Sequence, residues 1–429
     1  MNDKTFALKG ICMYSKTQQV IEVMDGYVIS ADGICQGVYE NIPKEFEGIT
    51  VHDYTGKLII PGLIDLHLHA SQYPFRATGM DLELLEWLDT YTFPEESQYA
   101  DIEYAKKAYS IFVNDFKNSP TTRACIFATI HKEATLLLMS LLEDTGMKTM
   151  VGKVNMDRNC PDYLKEESPE KSIEDTIEFI NYARQNYKNT VPILTPRFIP
   201  TCSDDLMVSL GKLKEEYHLA LHSHLSENKT EIDWVRNLCP DADSYTDAYE
   251  RRGSFDQSGK TIMAHCVYLT KEEEDLLKRR NVFIAHCPDS NMNLASGIAP
   301  IRRYLEKGLN VGLGTDVAAG SFINLFHAMS SAIQSSKLYW RLVDQTDLPL
   351  TLEEVFYMGT KGGGAFFGNV GSFEKGFLMD AVILSDDNIQ SSKTLTPKER
   401  LERIIYLGKD ENVISKYVDG TRIEMNEFK

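Results

Sequence analysis

The chain of 429 residues is 43% hydrophobic and 25% charged, enough apolar material for a large barrel plus a smaller unit and too much for a mainly disordered polymer. Lys and Arg number 45 against 63 Asp and Glu, and the formal charge of −18 repels a phosphate backbone or an anionic membrane surface, so neither nucleic acid nor membrane is an expected partner. The first residues lack the apolar core of a secretion signal, no apolar run reaches the ~20 residues of a membrane span, and the scattered cysteines form no C-x-x-C pair, so a cytoplasmic protein with reduced thiols is expected.

From Thr5 to about Lys57 short β-type runs are punctuated by turn residues, among them the Asp-Gly pairs of "QQVIEVMDGYVISADGICQGVYENI". The same texture returns after Gly371 in "FLMDAVILSDD" and "NVISKYVDGTRIEM", where Asp419-Gly420 carries hairpin turn chemistry. The two ends of the chain are expected to pair into one small β-sandwich from residues 1–60 and 371–429.

Between them, residues 61–370 alternate. Eight strand-like apolar runs stand at "LIIPGLIDLHLH", "ACIFATI", "KTMVGKVNM", "VPILTPRF", "LALHSHLSE", "TIMAHCVYL", "VFIAHCP" and "NVGLGTD". Most gaps hold a helical pattern: Ala105, Ala108, Phe112 and Phe116 recur at helical spacing, and "SIEDTIEFINYARQNY" and "KEEEDLLKRR" behave alike. The expectation is an α/β fold, a (β/α)8 TIM barrel, with one conspicuous insertion after strand one, residues 71 to about 98, read as an ordered lid.

Barrel chemistry is assembled at the carboxyl ends of the strands, so the residues found there decide the function. Strand one ends in His67 and His69, strand four in Arg197 and Phe198, strand five in His224 and then Glu227, strand six in His265, strand seven in His286 and strand eight in Asp316. Residues at i and i+2 of a strand face the same way, so His67 and His69 can grip one ion. An isolated H-x-H pair reads equally well as two satisfied histidines; His224, His265 and Asp316 at further strand ends make the combination strong. His222 shares the parity of His224 and stays open as a ligand, while His286 and His131 read better as structural or supporting histidines.

Imidazoles with one carboxylate and an open position suit a catalytic Zn²⁺, one per chain, with Fe²⁺ the second choice, and not the all-oxygen sites of Ca²⁺ or Mg²⁺. Such an ion makes hydroxide available at neutral pH, which implies a hydrolase. An amine leaving group also needs a proton, and Glu227 in "HSHLSEN" is placed to give one, the plainer reading being a first-turn acid of the next helix. Lys153 raises the thought of a modified lysine between two metals, but it falls on strand three, so one metal is expected. The H-x-E and P-C-x-x-C signature of base-flipping deaminases is absent, and "GLGTDVAAG" is no phosphate loop; its glycines let the backbone turn closely around Asp316.

With "PGLIDLHLH", "HSHLSE", "AHC", "AHCPDSN" and "GLGTD" in this order, the chain resembles the amidohydrolase superfamily over nearly its full length. Within it, "HASQYPF", "DLELLEWLDTYTFPEE", "TPRF" and "LGTDVAAG" resemble the guanine deaminase family. The resemblance implies His67, His69, His224 and Asp316 as zinc ligands, Glu227 as the proton-shuttling acid, and His265 as the histidine facing water and substrate. It implies Gln72, Arg197 and Phe198 as purine-binding residues, with His224, Glu227, His265 and Asp316 also touching the substrate. The expected substrate is then guanine, the products xanthine and ammonia, and the assembly a homodimer. A pterin, adenine or triazine is the alternative substrate. A non-catalytic relative built on the same barrel is disfavoured, since such proteins usually lose the ligands kept here.

Overall fold

The computed structural model describes residues 4–425. The amino-terminal strands are β1 (Phe6–Thr17), β2 (Val20–Ala31), β3 (Ile34–Tyr39) and β4 (Thr50–Pro61). The barrel is built from β5 (Leu63–His69), β6 (Thr121–Phe127), β7 (Lys148–Gly152), β8 (Val154–Asn155), β9 (Thr190–Pro192), β10 (Thr195–Pro196), β11 (Leu221–Leu225), β12 (Thr261–His265), β13 (Phe283–His286) and β14 (Asn310–Leu313). Downstream lie β15 (Ala381–Leu384), β16 (Val413–Val418) and β17 (Thr421–Ile423).

Both ends of the chain meet in one sheet, ordered β17-β16-β15-β4-β1-β2-β3, as their strand-like texture leads one to expect. One face closes over its own core of Phe6, Leu8, Val28, Ile59, Ile383 and Tyr417; the other, with Met13, Leu58, Ile60 and Val382, joins the core of the barrel's helical layer. Asp419 and Gly420 take φ of 47° and 71° between β16 and β17, the left-handed pair that an Asp-Gly hairpin uses. Asp25-Gly26, by contrast, makes no turn: it sits inside β2, where a Cβ on Gly26 would lie 2.2 Å from the Tyr39 carbonyl oxygen. That glycine is there for close strand approach, and the turn into β3 is made by Asp32-Gly33 instead.

The barrel strands pair in parallel in the order β11-β12-β13-β14-β5-β6-β7-β9, and Leu194 bridges to Leu221 to close the ring. The third and fourth strand-like runs are each split, β8 and β10 forming a separate two-stranded pair. Parallel strands buried on both faces read as continuous apolar runs, which is why these stretches were legible. The barrel floor is filled by Ile64, Leu66, Cys125, Ile262, Ala264 and Phe283. Outside, the helix Ile102–Asn118 buries Ala105, Ala108, Phe112 and Phe116, and Asp101 caps it by accepting from Glu103 N at 2.9 Å.

Two devices bind the barrel to the terminal sheet. Arg123 on β6 donates from Nε and Nη2 to the Asp380 carboxylate at 2.6 and 3.0 Å, both groups almost fully buried. Gly62 links β4 to β5 where a Cβ would meet Thr122 Oγ1 at 2.1 Å, so the chain crosses there with no room for a side chain. Arg123 also donates through Nη2 to Asp419, so Asp380→Ala removes one of two carboxylate partners and is expected to cost ~1.5–3 kcal/mol, the worth of a charged hydrogen bond, read as a lowered denaturation midpoint.

Candidate active site

The lone pairs of four imidazoles and one carboxylate converge at the mouth of the barrel. His67 Nε2 and His69 Nε2 lie 3.1 and 3.5 Å from Asp316 Oδ1, and His265 Nε2 lies 3.8 Å from Oδ2. His69 Nε2 and His224 Nε2 face each other at 3.2 Å. Four strands, β5, β11, β12 and β14, deliver these groups, the last three with backbone bends at their ends. Ser226, His265 and Asp316 take φ of 50°, 71° and 47°, a left-handed conformation unusual outside glycine and concentrated here at strand ends. Asp316 N donates to the His67 carbonyl at 2.8 Å and His69 N to the Val317 carbonyl at 2.9 Å, which ties the last barrel strand to the first. A Cβ on Gly314 would sit 2.9 Å from both His67 Cβ and Cys287 Sγ, so the glycine of "GLGTD" permits this approach.

The outward nitrogens fix which way the lone pairs point. His224 Nδ1 donates to the Arg197 carbonyl at 2.6 Å, which in the neutral ring leaves Nε2 unprotonated toward the centre, and His265 Nδ1 lies 2.9 Å from Asn291 Oδ1 with its Nε2 turned to the centre. His67 Nδ1 meets His222 Nε2 at 2.8 Å. His222 therefore stands one layer deeper, against the back of His67, while His224 reaches the centre. Burial pushes the basicity of His67, His69 and His224 well below the usual imidazole range, so each is neutral, the form that binds metal. His67 Nε2 and His69 Nδ1 are buried without a hydrogen-bond partner.

This donor set fits a divalent transition metal. His67, His224 and His265 offer nitrogens within 4.8 Å of one another, and Asp316 adds an oxygen. Cys287 also lies within reach of His67 and Asp316, but burial pushes its thiol well above its usual pKa and Sγ donates to the Ala285 carbonyl at 3.4 Å. Neutral nitrogens with one carboxylate suit zinc or ferrous iron and not calcium or magnesium.

Glu227 sits beside this centre. Its Oε2 lies 3.4 Å from His265 Nε2 and its Oε1 accepts from Ser296 Oγ at 3.1 Å. Burial, reinforced by the Asp316 charge, pushes its carboxyl up to about 8. The helix that follows begins at Lys229 and is served by Asn228 and Glu231 as a capping box, so the first-turn role belongs to Glu231 and not to Glu227.

The cleft above is walled by Gln72, Arg197 and Phe198 together with Leu84, Trp87 and Leu88. Gln72 and the last three come from the insertion, which folds as short helical turns, its Leu84, Trp87, Leu88 and Phe93 packed with Met156, Leu164 and Leu294. Among the other histidines, His286 is buried and pushed down to about 3 by burial and by His265, and it does not line the cleft. His131 stands before the helix Lys132–Glu143. Lys153 is buried in an ion pair with Glu166 and also donates to the Val154 carbonyl at 3.2 Å, a structural arrangement and not a bridge between metals.

Sequence reasoning missed Glu96, whose carboxylate meets both Arg197 and Gln72. It gave no role to Asn291, although "AHCPDSN" contains it, nor to Ser296.

A model of the Amidohydrolase family matches residues 58–423. The guanine deaminase of Dictyostelium discoideum is 37% identical to this chain, the alignment covering 97% of each. Among solved structures, guanine deaminase from C. acetobutylicum with bound guanine in its active site superposes with a TM-score of 0.95 at 45% identity, covering 98% of this chain and 100% of that one. Guanine deaminase from E. coli superposes with a TM-score of 0.87 at 32% identity, covering 98% of this chain and 100% of that one. Matched over most of its length and carrying the converging imidazoles and carboxylate at one barrel mouth, the chain belongs to the amidohydrolase family and, within it, groups with the guanine deaminases.

Proposed function

We propose that this chain hydrolyses guanine to xanthine and ammonia, with His67, His69, His224 and Asp316 holding one zinc ion per chain. The observation that carries the reading is the placement of two buried carboxyl groups, both pushed up by burial, around one imidazole: Glu227 Oε2, assigned as proton donor, lies 3.4 Å and Asp316 Oδ2, assigned as acceptor, lies 3.8 Å from His265 Nε2. A proton acceptor and a proton donor flanking one point is what displacement of an amine by water requires.

When bound, zinc, or ferrous iron as second choice, supplies Lewis acidity that brings the pKa of a water toward neutrality. Asp316 accepts a proton from the attacking water as its oxygen bonds to C2 of guanine. Glu227, protonated at neutral pH because burial raises its pKa to about 8, delivers its proton to ring nitrogen N3. His265, oriented by Asn291 so that Nε2 faces the centre, holds the incoming oxygen in line. The tetrahedral carbon then collapses: Asp316 passes its proton to the amino group, the C2–N bond breaks, and Glu227 takes back a proton from the new hydroxyl as the carbonyl forms. Water and guanine are consumed, xanthine and ammonia leave, and both carboxyl groups return to their starting states.

Gln72 and Arg197 hold the purine edge and Phe198 its face, and the insertion excludes bulk water from above. The boundaries of the two units are taken as residues 1–60 with 371–429 for the terminal sheet and 61–370 for the catalytic barrel. A homodimer in the cytoplasm completes the reading. The free thiols of all eight cysteines support that compartment, and exposed Leu342 and Val343 are side chains that a second copy could cover. Among the described residues no helix is long and apolar enough to cross a membrane.

Metal analysis paired with ammonia release from a panel of heterocycles tests the proposal. The expected result is about one zinc per chain and turnover of guanine at least ~10²-fold above adenine, a pterin or an aminated triazine, the discrimination that buried hydrogen-bonding groups give. Faster turnover of one of those rivals would transfer the assignment to it.

A further inference from the structure

Gln72, Glu96 and Arg197 are 2%, 1% and 3% exposed, and Gln72 and Arg197, which wall the cleft, both donate to Glu96. The Glu96 carboxylate comes from the insertion helix Phe93–Ser97. Arg197 donates to it through Nη1 alone, at 3.0 Å to Oε1 and 2.7 Å to Oε2, while Gln72 Nε2 donates to Oε1 at 3.0 Å. Phe93, from the same helix, lies under the guanidinium at 5.3 Å.

A carboxylate paired with arginine only accepts hydrogen bonds, so it decides how the side-chain amide of Gln72 must lie. The amide nitrogen is turned to Glu96, and the carbonyl oxygen is the atom left for the cleft. On Arg197, Nε and Nη2 are the donors left over. We propose that Glu96 is a positioning residue that sets the hydrogen-bond polarity of the cleft: one acceptor from Gln72 beside donors from Arg197, complementary to a ring edge that presents N–H next to C=O. The cleft then selects a lactam purine over an aminated one through the orientation that Glu96 gives its two donors. With an amide in place of the carboxylate, Gln72 gains the freedom to reverse, and the selection is lost even though Gln72 and Arg197 are unchanged.

The inference rests on guanine being the substrate. The discriminating probe is 2,6-diaminopurine, which carries the same leaving amine at C2 but an acceptor nitrogen and an amino group where guanine has N–H and C=O. Wild-type protein is expected to prefer guanine over 2,6-diaminopurine by at least ~10²-fold in kcat/KM. Glu96→Gln should cut that ratio at least ~10-fold, mainly through KM for guanine and with zinc content unchanged. Glu96→Asp, still acceptor-only, should keep the ratio within ~3-fold even where the rate on both purines falls. A loss shared equally by both purines in Glu96→Gln, or a ratio unchanged in it, overturns the role. Should that variant not fold, the wild-type protein still decides: hypoxanthine, with the lactam edge, must inhibit more tightly than adenine, with the reversed edge, and equal inhibition rejects the polarity. Absence of guanine turnover by the wild type would instead sink the proposed function itself, a different result from any of these.

Discussion

Glu227→Gln is expected to lower kcat for guanine by ~10³–10⁴-fold while leaving zinc content and thermal stability near those of the wild type. Removal of one positioned acid costs ~10²–10⁴ in rate, and here the same carboxyl serves twice, giving a proton to N3 on addition and recovering one on collapse, which places the loss toward the upper end. Glutamine keeps the shape and can still accept from Ser296, whose hydroxyl lies 3.1 Å from Glu227 Oε1. It cannot give and recover a proton. Stopped-flow or steady-state absorbance with guanine reads the rate, and metal analysis shows that the centre is otherwise intact. Near-normal turnover would remove Glu227 from the chemistry.

Asp316→Asn carries a comparable or larger expectation, a loss of ~10⁴-fold or more in kcat together with weaker metal retention. The carboxylate lies 3.1 Å from His67 Nε2, 3.5 Å from His69 Nε2 and 3.8 Å from His265 Nε2, so in the proposed scheme one substitution removes a ligand and the proton acceptor together. A paired measurement separates the two. Chelation of the wild type should abolish activity and added zinc should restore it, whereas zinc added in excess to Asp316→Asn should fill the site without restoring the rate. Full activity of a metal-free wild-type preparation would refute the scheme.

The barrel could be read from the sequence because its strands are sealed on both faces and appear as uninterrupted apolar stretches ending in polar residues. His67, His69, His224, His265 and Asp316 stand out for that reason: each follows such a stretch, and barrel geometry collects strand ends at one mouth. What parity could not separate was His222 from His224, since both face inward. The difference is depth, two residues of strand rise, ~6–7 Å, which sends the His222 ring to the back of His67 and the His224 ring to the centre. The splitting of the third and fourth runs into β7 with β8 and β9 with β10 was not legible either, because the apolar pattern continues across each break. Asp25-Gly26 shows the reverse error: the dipeptide has turn chemistry, but the pressing carbonyl of Tyr39 makes glycine the residue that fits within a strand. Glu96 was invisible for a different reason. Its partner Arg197 lies a hundred residues away in the chain, and an acid in the first turn of a short helix looks like any other until the fold brings the two together.

The run from β4 through Gly62 into β5 joins an outer sheet directly to the strand that bears His67 and His69, and β4 is completed by antiparallel pairing of Ile59, Ile60 and Pro61 with β15. A nascent chain has therefore emitted His67 and His69 long before the neighbour that steadies their root exists. Contacts between such remote stretches form late, and a site absent from the unfolded chain captures its ion only as folding completes. In the proposed scheme, loading with the metal thus belongs to the closing moments of maturation, and a ribosome stalled before codon 381 would carry an unbraced mouth.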